Sequence, residues 1–537
     1  MNAPTVTRLL WLRRLSQAVF LILFVYLLHS VRYSSRALDL AAAQPLTTAP
    51  VNHFFNFDPF IHLGFLLSAR ALHPGFLFAC ATVIATALIG RFFCGWVCPF
   101  GTLHHLVGQL GAGFAGGRRR LIARGRYAPW QALKYYLLVS LLLIALFTPL
   151  QPAVLDPLCI MARSCTLSVF PSFHFLVKGA LSRAADSDLP ILGPAAETGY
   201  AFFESRQLIG THVFFRSALL TGFILASLLI ANLWYPRFWC RFLCPLGALL
   251  GLVSRVPLLR MGKRNAQCTM CGECTIRCQG GSSPEGGARW KAHECLLCLN
   301  CLAACPEDVL DFSVLGVRDA DEYTPDLTRR GLIASIGAGL VAIPLLRASG
   351  RAGNRSMLIR PPGTRPEDEF LRTCLRCGTC TRICPTSAIH PSITEAGIVG
   401  LWTPRLIPRI GYCVYSCTLC GQVCPSQAIR KLSVEQKMGS ERLRPVKLGT
   451  AAVDRKRCIP WATNMSCIAC EEVCPVSPKA IKIDEAAVRG PRGEQFILGR
   501  PIVDPRQCVG CGHCEYVCPV EGTAAIRVYS AGETRAG

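Results

Sequence analysis

Apolar residues crowd into four stretches of the first half of the chain, near residues 16–31, 76–93, 133–150 and 213–235, each with almost no internal charge. A helix needs about 20 apolar residues to cross a hydrocarbon core, and lipid offers the backbone no outside hydrogen-bond partner, so the pattern predicts four transmembrane helices. A core helix would explain any one stretch alone, but not four at this spacing. A fifth stretch, 331–346, is shorter.

The basic residues orient these helices. Arg8, Arg13 and Arg14 precede the first, and Arg118, Arg119, Arg120, Arg124 and Arg126 separate the second from the third. Arg237, Arg241, Arg255, Arg260, Lys263 and Arg264 follow the fourth. Basic flanks stay in the cytoplasm, so residues 33–75 and 151–212 are expected to face outward. Before the fifth stretch stands Thr328-Arg329-Arg330-Gly331-Leu332-Ile333, which looks like an internal twin-arginine export signal. Such a route carries folded cargo, as a cofactor-loaded domain requires, and would place residues beyond 350 in the periplasm. An arginine pair stopping at the membrane face is the alternative. Ala348-Ser349-Gly350 offers small residues for cleavage.

Composition narrows the class. The 537 residues are 51% hydrophobic and 17% charged, which excludes a disordered chain. The net charge of +24 lies largely beside apolar runs, so it reads as membrane orientation and not as a nucleic-acid surface. Thirty-one cysteines in a chain this long, gathered into repeated clusters, point to metal ligation and not to a disulfide scaffold.

Cys268-x2-Cys271-x2-Cys274-x3-Cys278 and Cys295-x2-Cys298-x2-Cys301-x3-Cys305-Pro306 are two copies of the bacterial ferredoxin run. Three cysteines on one loop hold one 4Fe-4S cluster and the fourth crosses to the other. Cys268, Cys271 and Cys274 are thus expected with Cys305, and Cys295, Cys298 and Cys301 with Cys278. Gln279 stands where a proline is usual. Four more quartets follow: Cys374, Cys377, Cys380, Cys384; Cys413, Cys417, Cys420, Cys424; Cys458, Cys467, Cys470, Cys474; and Cys508, Cys511, Cys514, Cys518. Six 4Fe-4S clusters are therefore expected. The middle two of these four are irregularly spaced, and structural zinc competes there, although each keeps the CxxCxxxCP ending.

Seven cysteines remain. Arg91-Phe-Phe-Cys94-Gly-Trp-Val-Cys98-Pro aligns with Arg237-Phe-Trp-Cys240-Arg-Phe-Leu-Cys244-Pro, so the bundle holds a duplicated helix pair. Cys94, Cys98, Cys240 and Cys244 would present four thiols to a further metal or cluster, or else cap and turn the helix ends. Cys159 and Cys165 form a disulfide or stay free, and Cys80 fits a small buried residue. No CxxCH, P-loop or dinucleotide fingerprint occurs, which excludes covalent haem and leaves no hydride or phosphate site.

Residues 1 to about 315 resemble the membrane-bound ferredoxin subunit of periplasmic nitrate reductase chains and its counterpart in methylamine utilisation. Residues from about 325 resemble the ferredoxin-type partner subunit of those systems, through the twin-arginine start, Arg360-Pro361-Pro362-Gly363, and the irregular spacings at Cys413 and Cys458. The chain resembles a fusion of the two. The fold expected is an α-helical membrane bundle with α+β ferredoxin domains: residues 1–255 as bundle, 256–315 as a cytoplasmic two-cluster domain, 316–350 as a linker with the fifth apolar segment, and 351–537 as a four-cluster domain.

By resemblance to four-cluster ferredoxin subunits, the last four quartets should nest. Cys518 would then join Cys374, Cys377 and Cys380, while Cys474 joins Cys413, Cys417 and Cys420. The resemblance implies an inner-membrane protein of anaerobic respiration that oxidises membrane quinol and passes electrons to a periplasmic multihaem cytochrome or reductase. Electrons must then cross the bilayer, or the two cluster sets serve separate branches. A related group implies the alternative, reduction of a metal ion or disulfide in metalloenzyme assembly. Candidates to bind quinone or move its protons are His53, Asp58, His62, His73, Asp156, Arg163 and His174. Arg372, Arg376, Arg382, Arg405 and Arg409 would offer an acidic cytochrome a basic face, or form an ordinary solvated one.

Overall fold

The computed structural model describes the chain except residues 1–2, 32–50, 74, 114–115, 151, 187–191, 206–214, 256, 264–267, 286–289, 315–324, 352–354, 490–493 and 536–537. Arg264 of the basic flanks thus lies outside the described residues. Two compact units emerge, one from Met1–His29, Pro50–Ser164 and Leu220–Leu346, the other from Ser30–Ala49, Cys165–Leu219 and Arg347–Gly537. These units cut across the four expected segments. The two-cluster domain belongs with the bundle, and part of the second outward segment belongs with the C-terminal domain.

In the first unit the helices are α1 (Ala3–His29), α2 (Pro59–Ala69), α3 (Phe76–Ile89), α4 (Pro99–Gly113), α5 (Leu133–Phe147) and α6 (Pro157–Ser164). Among the described residues, four helical stretches are long and apolar enough to cross a membrane: Pro4–His29, Arg118–Phe147, Pro157–Ala185 and Arg329–Ser349. The second and fourth expected spans appear as shorter apolar helices, Phe76–Ile89 and Ala218–Leu233. The first of these stops where Gly90 takes φ 114°, a conformation that favours glycine, before the chain enters its cysteine motif. Pro157–Ala185 was not expected, because Arg163, Pro171, His174 and Lys178 break its apolar run and leave a mean hydropathy of only 1.3.

Helix α6 continues through a π-helical turn, Cys165–Val169, into α7 (Phe170–Ala185) of the second unit. Back in the first unit come α8 (Ala218–Ile230) and α9 (Pro245–Val253). The duplication extends well beyond the cysteine motifs. Helices α1, α2, α3 and α4 correspond in order to α5, α6, α8 and α9, with a five-residue π-helical turn, Phe93–Val97 or Trp239–Leu243, in each copy. The packing repeats too: α1 lies on α4 as α5 lies on α9, and α2 touches α9 as α6 touches α4.

The fifth apolar segment is helix α10 (Arg329–Arg351), which packs along α5. Tyr136 Oη lies 3.3 Å from Thr328 Oγ1, Ser140 Oγ donates to Ser335 O at 2.8 Å, and Gly339 faces Leu143. Residue numbers rise together along this seam, so α10 runs parallel to α5.

Strand β1 (Leu259–Lys263) pairs antiparallel with β2 (Leu310–Val314) and closes the two-quartet domain. Its core of Met261, Trp290, Leu297, Leu302 and Phe312 also receives Val6 of α1. In the second unit the ribbons are β3 (Ile389–Pro391) with β4 (Pro404–Leu406), β5 (Thr450–Val453) with β8 (Ile526–Tyr529), and β6 (Ile481–Arg489) with β7 (Gln495–Val503). Phe170 and Phe215 of the same unit rest on this four-quartet domain. The Arg382 guanidinium sits 4.4 Å over the Phe170 ring, and Phe215 meets His390 edge-on at 5.2 Å.

Candidate electron-transfer sites

Each regular quartet loop is wound by left-handed residues on both sides of its second cysteine: Met270 and Gly272, Leu297 and Leu299, Arg376 and Gly378, Gly510 and Gly512. Turns of this kind aim successive N–H groups into a concavity that suits an anionic cluster. Several N–H groups already point at ligand sulfurs: Ser282 N–H at Cys278, Ala451 N–H at Cys508 and Ala525 N–H at Cys518, each 3.3 Å away. The irregular loops do without this winding, since Thr418 and Ile468 after their second cysteines have φ −121°.

The thiols gather around cavities. Cys268, Cys271, Cys274 and Cys305 line one of about 400 Å³. Cys278 interacts electrostatically with Cys295, Cys298 and Cys301. In the second unit, Cys374, Cys377 and Cys380 share a cavity of about 390 Å³ with Cys424, and Cys458, Cys467 and Cys470 share one of about 370 Å³ with Cys518. Cys384 lies beside Cys413, Cys417 and Cys420, and Cys474 beside Cys511 of the Cys508, Cys511, Cys514 loop.

This corrects the nested exchange. Each quartet trades its fourth cysteine with its neighbour in sequence, because the turn after Cys384 or Cys424 folds straight back on the adjoining loop; Ala388 O accepts Ile407 N–H at 2.9 Å. The two halves then join in a row, with Cys413 N–H donating to Cys511 O at 2.8 Å. Among the described residues, no group of three or more His, Cys, Asp or Glu side chains is set to hold a single metal ion. Thiols spread around a cavity are the arrangement that would hold the separate irons of a cubane. Burial pushes Cys374, Cys470 and Cys511 up to about 12, so loading these sites releases protons.

The two-quartet domain is seated on the bundle by its cluster loop. A methyl group at Gly95 would stand 2.0 Å from Leu296 O, Trp96 Nε1 donates to Leu297 O at 3.0 Å, and Arg91 Nη1 donates to His293 O at 2.8 Å. Beside them Glu294 is fully buried, paired with Lys134 and with Arg91, and accepts from Tyr135 Oη at 3.1 Å. Burial alone would raise the Glu294 carboxyl, but Lys134 and Arg91 outweigh it and hold the group below its ordinary value. Arg91 opens the repeated motif, whereas motif reading passed over Lys134 and Glu294.

Cys94, Cys98, Cys240 and Cys244 are all buried and near enough to interact electrostatically. Two of them act as caps: Cys98 Sγ accepts Gly101 N–H at 3.4 Å and Cys244 Sγ accepts Gly247 N–H at 3.2 Å. The arginine opening each motif crosses to the other copy. Arg237 Nη1 donates to Cys94 O at 2.7 Å, and Arg91 Nη2 would stand 2.8 Å from a methyl on Gly247. The four residues expected to offer a further metal site are thus brought together, two of them also capping helices. Cys159 and Cys165 are buried and no disulfide joins them, and Cys80 is only partly buried.

Of the quinone candidates, the structure brings Asp58 and Asp156 together. They occupy equivalent places in the two copies, each before a proline that starts a half-helix. Asp58 Oδ1 accepts Phe60 N–H at 2.8 Å, and Asp156 Oδ1 accepts Cys159 N–H at 2.9 Å. The two buried carboxyls lie near enough to interact electrostatically. His62 packs on His73 with ring centroids 4.8 Å apart, and its Nδ1 meets Asp58 O at 2.8 Å. Arg163 is buried and donates to Val154 O, whereas His53 is exposed and His174 belongs to the second unit. The expected basic face is also corrected. Arg376 and Arg405 are buried, Arg376 on the carbonyls of Val399 and Leu401 and Arg405 on Glu395, and Arg409 donates to Cys518 O and Val520 O.

Comparison with known proteins agrees with this reading. A family model described as a 4Fe-4S binding domain matches residues 72–118 and 217–265, the two copies of the cysteine motif. One described as a 4Fe-4S dicluster domain matches residues 457–521, which spans the last two quartets as one pair. The methylamine utilization ferredoxin-type protein MauM of Methylorubrum extorquens is 33% identical over 195 residues, 36% of this chain and 80% of its own length. The ferredoxin-type protein NapG of Escherichia coli is 30% identical over 197 residues, 36% of this chain and 78% of its own. The putative electron transport protein YccM of Escherichia coli is 26% identical over 311 residues, 56% of this chain and 75% of its own. No solved structure matches.

Proposed function

Because the chain belongs to the ferredoxin-type family of MauM and NapG, whose iron-sulfur electron transfer it shares, we propose that it carries electrons from membrane quinol through six 4Fe-4S clusters to a soluble acceptor outside the membrane. The observation that carries this reading is the parallel seam between α5 and α10. With the basic segments inside, α5 ends on the outer side, and a helix parallel to it delivers residues beyond 351 there too. The two-cluster domain, held by Arg91, Trp96 and Lys134 at the other end of the bundle, stays inside.

When bound, the clusters accept and release single electrons. The chain's own residues do the rest. The buried Asp58 and Asp156 carboxyls exchange the protons that quinol sheds as it is oxidised. His62 and His73 pack beside them. The acceptor is a cytochrome or terminal reductase docking on the exported domain.

Anaerobic mixing of the detergent-purified protein with a reduced menaquinone or ubiquinone analogue, followed by absorbance and electron paramagnetic resonance, tests the donor. Cluster reduction within turnover time is the expected result. Clusters reduced by dithionite but not by quinol would remove quinol as donor and favour the assembly role. Topology is tested separately. Replacing Arg329 and Arg330 with lysine should leave residues beyond 350 inside, protected from added protease, whereas unchanged cleavage in intact spheroplasts would count against the twin-arginine signal.

A further inference from the structure

The quartet beginning at Cys413 carries three residues before its second cysteine where ferredoxin spacing has two. The structure shows what the longer loop accommodates. Helix α11 (Val434–Met438) lies against the loop, and Tyr415 Oη donates to Met438 O at 3.0 Å. A capping box fixes the start of α11: Ser433 Oγ accepts Gln436 N–H at 3.0 Å, and Gln436 Oε1 accepts Ser433 N–H at 2.9 Å.

From α11 the Lys437 side chain turns inward and is 4% exposed. Its ammonium donates to Cys413 Sγ at 3.2 Å, to Val414 O at 2.6 Å and to Cys417 O. An ammonium has three donors, and all three are used on this one loop. By contrast, the hydroxyls of Thr275, Ser282, Thr379, Thr386 and Ser426, which meet other ligand sulfurs of these quartets, are neutral. The charge also sits at the joint of the row, where Cys413 N–H bonds Cys511 O and the Tyr412 ring lies 3.8 Å from His513.

Reduction adds one negative charge to a cluster, and a fixed, desolvated positive charge bonded to a ligand sulfur favours that state. We propose that Lys437 is a positioning residue that raises the potential of the cluster on Cys413, Cys417, Cys420 and Cys384 above that of its neighbours, so that electrons collect midway along the exported row. The irregular spacing then has a purpose, since the longer loop presents two carbonyls and a sulfur to one ammonium. This inference rests on the iron-sulfur reading of the quartets and is tested apart from it.

The test is a dye-mediated potentiometric titration of the full-length Lys437→Met protein, followed by electron paramagnetic resonance with iron counted in the same sample. Iron at the wild-type level, with one cluster transition moved negative by a factor of ten or more in its reduction equilibrium (about 59 mV for one electron), is the expected result. Lys437→Arg, which keeps the charge, should restore most of the potential. Full iron with every transition unmoved would overturn the proposal. If Lys437→Met loses iron, wild-type protein labelled with 15N at the lysine side chains decides the question. A 15N hyperfine coupling on one reduced cluster supports the contact, and its absence overturns it. Wild-type protein without iron-sulfur clusters would overturn the underlying reading and this inference together.

Discussion

Replacing Glu294 with alanine should cost about 3–5 kcal/mol and detach the two-cluster domain from the bundle. The carboxylate is 1% exposed, and it is the partner of Lys134, which has no exposure, and of Arg91, at 1%. Removing it leaves two buried cations facing each other with no counter-charge, the arrangement in which deletion of one partner is most damaging. Glu294 also adjoins Cys295, and the same stretch places His293 O on Arg91 and Leu296 O on Gly95. Loss of the anchor therefore exposes a cluster loop. Thermal unfolding in detergent, read through the iron-sulfur absorbance, should show an early transition worth two of the six clusters. The double replacement Lys134→Met with Glu294→Leu should recover much of the loss, because it removes a charge of each sign. An unchanged melting profile in Glu294→Ala would show that the contacts at Gly95 and Trp96 suffice by themselves.

How much of this was legible in the sequence depends on the range of the interaction. The cysteine quartets are local, three ligands to a loop, so residue spacing alone locates them. The partner of each fourth cysteine is set by how one turn folds on another, and there the nested expectation failed: Cys424 faces the Cys374 loop and Cys518 the Cys458 loop. The membrane helices were legible where they are uniformly apolar. Pro157–Ala185 escaped because Arg163 and Lys178 interrupt it. The duplication was legible at Cys94 and Cys240, and extending it outward to Asp58-Pro59 and Asp156-Pro157 would have found the carboxyl pair. Nothing local marks Lys437, 20 residues after Cys417, or Glu294, which reads as one more acidic residue before a cysteine.

Removing Cys424 should abolish the cluster on Cys374, Cys377 and Cys380 and leave the other five, so that iron falls by about four atoms from about 24. A single replacement does not say which cluster was lost, but pairs of replacements do. If Cys374 and Cys424 hold the same cluster, Cys374→Ala, Cys424→Ala and the double variant all lose about four irons. Cys374→Ala combined with Cys518→Ala should lose about eight, since those residues line separate cavities. The nested arrangement reverses both results: about eight irons lost in the first double and about four in the second. The order of the row follows from the outcome. Neighbour exchange makes two compact pairs joined at Cys413 and Cys511, so an electron traversing the four-quartet domain would pass the joint where a buried ammonium sits. Nesting would instead place the first loop beside the last, and electrons could then bypass Lys437.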